Sequence, residues 1–78
     1  MTHPAESSRQ YSLANGGHEA TAAAIGVSVI EFIDTVAGRR RASGKFAAGM
    51  GPLIGVMPNL IIQADPDGQL LFLRNRMP

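Results

Sequence analysis

The residues best suited to chemistry lie in one short stretch, Gly38-Arg39-Arg40-Arg41-Ala42-Ser43-Gly44-Lys45. Four cations this close together can each release a counterion from a phosphate backbone, so Arg39, Arg40, Arg41 and Lys45 form a candidate nucleic-acid or anion contact. The glycines and the lysine invite comparison with a phosphate-binding loop. That loop needs four residues between its glycines and a hydroxyl after the lysine to hold magnesium. Here five residues separate Gly38 from Gly44, and Phe46 follows Lys45. The simplest reading is that the cations follow a helix and complement the negative carbonyl end of its dipole.

The remaining chemically capable residues are scattered. Arg40-Arg41-Ala42-Ser43 resembles the acceptor site of arginine-directed kinases, with Ser43 as the hydroxyl. His3 lies in a polar leading segment and His18 beside Gly16-Gly17, and both read as solvated residues rather than as a base or ligand. Asp65 and Asp67 flank Pro66, where their roles are those of turn residues. No nucleophile stands at a readable spacing from a base. With no cysteine there is no disulfide and no thiolate metal site. The expectation is a non-catalytic chain with no cofactor and no metal.

The sequence has 78 residues and a formal net charge of +1. That length allows one domain with a small core, and without disulfides or metal, association with itself or with another protein is the remaining common source of stability. The charge gives no global field, so any case for nucleic acid rests on the local cluster. The leading residues lack the basic and apolar regions of a secretory signal, which leaves the cytoplasm as the expected location. Residues 46–64 carry no charge and follow a basic cluster, as a membrane-spanning segment would. Ala47, Gly51 and Gly55 repeat at the four-residue spacing of small residues between membrane helices. Pro52, Pro58, Asn59 and Gln63 interrupt the stretch, so residues 46–57 read as a glycine-punctuated packing segment or loop, and membrane association is the second alternative.

Three elements would position these groups. Residues 1–17 read as a flexible polar tail, and residues 18–78 as a single small domain. Over residues 19–37, Ile25, Val29, Ile30, Phe32, Ile33 and Val36 share one arc of a 3.6-residue wheel, opposite Ser28, Glu31, Asp34 and Thr35. This predicts one continuous amphipathic helix with Gly26 tolerated inside it, and Val27 is its one apolar residue on the polar side. Ala22-Ala23-Ala24-Ile25-Gly26-Val27-Ser28 also resembles the centre of a helix-turn-helix motif. That resemblance implies a recognition helix carrying Val29, Ile30, Glu31 and Ile33, whose aliphatic and acidic character does not suit base edges or phosphates. Over residues 59–75, the apolar runs 60–64 and 70–73 flank Asp65-Pro66-Asp67-Gly68, which predicts a β-hairpin with a type I turn.

Leu60-Ile61-Ile62 with Asp65-Pro66-Asp67-Gly68-Gln69-Leu70-Leu71-Phe72 is similar to the first two strands of PAS-type sensory domains. The resemblance implies a minimal relative able to form a dimer interface but no cofactor cavity. The fold class predicted is α+β: one amphipathic helix packed on a two-stranded antiparallel hairpin, with a polar N-terminal tail. The functional expectation is a protein-interaction or regulatory module, a homo-oligomer or a small subunit of an assembly, with Val27, Ile62, Leu71 and Leu73 as its contact surface. The alternative is a small nucleic-acid-binding regulator using Arg39, Arg40, Arg41 and Lys45.

Overall fold

The computed structural model describes residues 3–64. Five helices follow one another: α1 (Pro4–Ala14), α2 (His18–Ile25), α3 (Val29–Val36), α4 (Gly44–Ile54) and α5 (Pro58–Gln63), and there is no strand among the described residues. The fold is therefore all-α over this region, and the α+β expectation is corrected. Residues 60–63, expected as the first hairpin strand, belong to α5. Pro58 sits at its first turn, where a missing N–H costs nothing, and Ile61 alone of its aliphatic run is buried, against α4. A hairpin and its PAS-like resemblance are excluded by this helix. The turn at 65–68 and the run at 70–73 lie outside the described residues.

The single helix expected over 19–37 is two helices. Gly26 takes φ +80° and its N–H donates to the Ala22 and Ala23 carbonyls, closing α2, while the Ser28 side chain accepts from the Glu31 N–H at 3.0 Å and opens α3. A left-handed glycine and a serine N-cap together satisfy the backbone groups that a helix end leaves free. The break also accounts for Val27, the misfit of the continuous wheel, which packs against the core from the turn. Ile30 and Ile33, assigned to the apolar face, point outward, and α3 buries Phe32 and Thr35 instead.

Two further segments differ from expectation. The leading stretch read as a polar tail carries α1, begun by Pro4 and capped by the His3 ring, whose Nδ1 accepts from the Ala5 N–H. Its outer face holds Glu6, which accepts from Arg9 Nη2 at 2.6 Å and Nε at 2.9 Å and from Gln10 Nε2 at 3.1 Å. The Arg9 guanidinium holds the Glu6 carboxyl below its ordinary range. This support for α1 is in place at neutral pH and fades as pH falls through that lowered value. The segment 46–57 read as a loop is mostly α4, opened by the Ser43 hydroxyl, which accepts from the Phe46 N–H at 3.1 Å. No helix among the described residues is long and apolar enough to cross a membrane.

The core is small: Ala22 and Ile25 from α2, Phe32 from α3, Phe46, Ala47 and Met50 from α4, and Ile61 from α5. An aromatic line runs through it, with His18 and Phe32 rings 5.3 Å apart and Phe32 and Phe46 rings 5.5 Å apart, both pairs tilted. Such pairs add about 0.5–1.5 kcal/mol beyond the area they bury. Helices α2 and α4 meet at Gly49, where a Cβ would stand 2.4 Å from Ile25 Cβ. Replacing Gly49 by Ala should therefore destabilise the fold by at least about 1–3 kcal/mol in urea unfolding. Gly44→Ala, where nothing lies within 4 Å, should be neutral or slightly stabilising. Equal midpoints for the two variants would contradict the close α2–α4 contact.

Candidate functional site: the basic joint and the exposed apolar surface

The joint between α3 and α4 is built from its own charges. The first turn past α3 brings Arg39 back on Asp34, with Nη2 2.8 Å and Nε 2.9 Å from Oδ1, while the Arg39 N–H donates to the Asp34 carbonyl. Arg41 reaches the far end of α5, where its Nη2 donates to the Ile62 and Gln63 carbonyls at 3.4 and 3.2 Å. Those carbonyls belong to the last turn of a helix, which has no intrahelical donors for them. Ser43 is tied twice: it caps α4, and its Oγ donates to Glu31 Oε2 at 2.7 Å.

Arg40 and Lys45 stand apart from this closure. Both are exposed and form no ion pair within the described residues. Arg40 lies at a shallow depression lined also by His3, Ala5, Thr35, Phe46 and Ile61. The Lys45 chain lies over Gly26, with Cε 3.3 Å from where a Cβ on that residue would sit. The four cations proposed as one anion contact thus do not act as one group. Arg39 and Arg41 hold the joint, and Glu31 and Asp34 place negative charge beside it.

The residues proposed as an interaction surface are likewise divided. Val27 is half-buried against the core, Ile62 is exposed, and Leu71 and Leu73 lie outside the described residues. Larger exposed apolar groups appear elsewhere. Ile30 is 69% exposed on α3 beside Ile33, while Leu53, Met57 (67% exposed) and Leu60 follow one another from α4 through the turn into α5. The wheel assigned Ile30 and Ile33 to a core face, so sequence reasoning missed them as surface; the signal was the Gly26–Ser28 break.

The histidines take structural positions, His3 capping α1 and His18 on the aromatic line. The Ser12 Oγ and His18 Nδ1 share a hydrogen bond of 2.5 Å that joins α1 to α2. The face of α1 turned inward is made of hydroxyls, since Ser8 and Ser12 are its buried residues. The Ser8 Oγ, and the Thr21 Oγ1 on α2, have no hydrogen-bond partner among the described residues. An unmade hydrogen bond at a buried polar atom costs about 1–3 kcal/mol. No group of three His, Cys, Asp or Glu side chains is placed to hold a metal among the described residues.

No protein-family model matches the chain, and no curated protein and no solved structure matches it either. The geometry is then the basis for any functional reading. Because Ser43 serves both α4 and Glu31, Ser43→Ala should lower stability by about 1–2 kcal/mol. Glu31→Gln, which keeps an acceptor oxygen, should cost less than half of that. Unfolding midpoints decide it, and a Ser43→Ala protein as stable as the parent would mean that the joint is not held this way.

Proposed function

We propose that this chain is a non-catalytic interaction or regulatory module that works in the cytoplasm as a homo-oligomer or as a small subunit of an assembly. The observation that carries the proposal is an imbalance: among the described residues seven hydrophobic residues form the buried core, while Leu13, Ile30, Ile33, Leu53, Met57, Leu60 and Ile62 remain exposed. Single exposed apolar residues are ordinary on any protein surface, but this many on so small a body favours cover by another chain. The disposition of the cations supports the same reading, since Arg39 and Arg41 are occupied within the fold.

Nucleic-acid binding is the second reading, and Arg40 and Lys45 are the observation in its favour. Light scattering on the purified protein tests both. The interaction reading expects a mass above that of one chain, insensitive to salt. Replacing Ile30 and Ile33 by Glu should weaken association about tenfold or more without loss of helicity, because neither side chain belongs to the core. A chain that stays monomeric but binds nucleic acid in a salt-dependent way, lost on replacing Arg40 and Lys45 by Glu, would overturn it in favour of the second reading.

A further inference from the structure

The connection from α1 to α2, Asn15-Gly16-Gly17, places a side-chain amide beside a backbone nitrogen that has no partner. Asn15 closes α1 as its C-cap, and its Nδ2 donates to the Tyr11 carbonyl at 2.8 Å. The Asn15 and Gly17 N–H groups both donate to the Ser12 carbonyl, at 3.1 and 2.8 Å. The Gly16 N–H between them makes no hydrogen bond among the described residues. Asn15 and Gly16 are both exposed, and Gly16 has no side chain to shield its nitrogen or to hinder rotation of the backbone. Asn59 is the internal contrast. The nitrogen that follows it belongs to Leu60, which carries a branched side chain and donates to the Met57 carbonyl at 2.9 Å in the first turn of α5.

We propose that Asn15 is a site of spontaneous modification, at which the Gly16 nitrogen attacks the Asn15 amide and converts it to an acid. The side chain swings off Tyr11, the Gly16 nitrogen gives its proton to solvent and bonds to Asn15 Cγ, and the Cγ–Nδ2 bond breaks with release of ammonia. The five-membered imide so formed takes up a water molecule. Opening at one carbonyl gives aspartate, and opening at the other gives isoaspartate, with the main chain rerouted through Cγ. In sum, asparagine and water become the acid and ammonia, so the step needs no oxidant and no cofactor. Either product undoes the end of α1. A carboxylate accepts hydrogen bonds and donates none, so the Tyr11 carbonyl loses its donor while negative charge arrives at the negative end of the helix. Isoaspartate also adds a methylene to the main chain between Ser12 and Gly17, within the turn that their hydrogen bond closes. The buried residues of α1 are Ser8 and Ser12, and Ser12 bonds His18, so a loosened last turn weakens the contact of α1 with α2.

Storage of the full chain in warm, mildly alkaline buffer, followed by peptide mass spectrometry, tests the chemistry. Trypsin cutting after Arg9 and Arg39 releases residues 10–39, in which Asn15 is the only asparagine. The expected result is a gain of about one dalton at Asn15, divided between two products, of which only the isoaspartyl form accepts a methyl group from an isoaspartyl methyltransferase. Because the turn needs no wider unfolding to react, the folded chain should convert at Asn15 within about tenfold of its rate in urea, and Asn59 should lag Asn15 by about tenfold or more. Slower conversion of the folded chain than that, or equal conversion at Asn59, overturns the proposal. The variant Asn15→Asp tests the consequence, since its α1 amides should exchange hydrogen about tenfold faster than those of the parent while the first half of α4 is unchanged. Parent-like exchange of α1 in both Asn15→Asp and the purified isoaspartyl protein would overturn the loosening of α1.

Discussion

The fold depends on Phe32, whose ring is wholly buried between the His18 imidazole at the start of α2 and the Phe46 ring in the first turns of α4. His18 extends the line to α1 through its bond with Ser12, so the aromatic rings and that bond together tie α1, α2, α3 and α4. Around it the aliphatic contribution is modest: Ile25 from α2, Met50 from α4 and Ile61 from α5. Interiors pack at nearly crystalline density, so a core this small has little slack. The glycine at position 49 shows the consequence, since Ile25 occupies the space where a side chain would be. The distance between α2 and α4 is thereby set by backbone against side chain.

Charge is used locally. The bond of Arg39 to Asp34, that of Ser43 to Glu31 and the capping of α5 by Arg41 each close one connection near the ends of α3, α4 and α5. Exposed ion pairs contribute only about 0.2–1 kcal/mol each, so their part is to fix the path of the joint rather than to hold the helices together. Hydrophobic contact does the latter, and it leaves apolar side chains over on the outside. An acidic and aliphatic α3 stands beside the basic joint, so the charge there is of mixed sign.

How far the sequence displayed this structure depended on the element. The helical content of 19–37 was legible from its apolar spacing, and so was the C-terminal glycine and cation pattern after it. The break inside that span was written in Gly26 and Ser28, a C-cap followed by an N-cap. Drawn as one continuous helix, the apolar residues on both sides of the break still fell on one arc, which concealed it, although Ile30 and Ile33 face outward. Leu60-Ile61-Ile62 is too short for periodicity to separate strand from helix, and the neighbouring turn residues 65–68 drew the reading toward a hairpin; Pro58 as a helix start was the opposing signal. Helix α4 was hidden by its glycines and Pro52, which propensity penalises but which close packing against Ile25 and Pro58 rewards. Of the candidate surface, the basic residues were visible as a cluster. Their separate partners were not, because Asp34, Ile62 and Gln63 come to them only through the turns.

Pro52 inside α4 carries a consequence for how water reaches this fold. Proline has no N–H, so the carbonyl one turn earlier, at Ala48, lacks its intrahelical donor, and Ala48 is exposed. Solvent can hydrate that carbonyl without opening the core on the opposite side of the helix, where Ala47, Met50 and Gly51 are buried. The hydrogen-bond ladder of α4 is thus interrupted at one place, between a first half capped by Ser43 and a last turn leading to α5. Amide hydrogens on the two sides of Pro52 belong to different opening reactions, with the last turn of α4 exchanging alongside α5 while the first half waits for the whole domain to unfold.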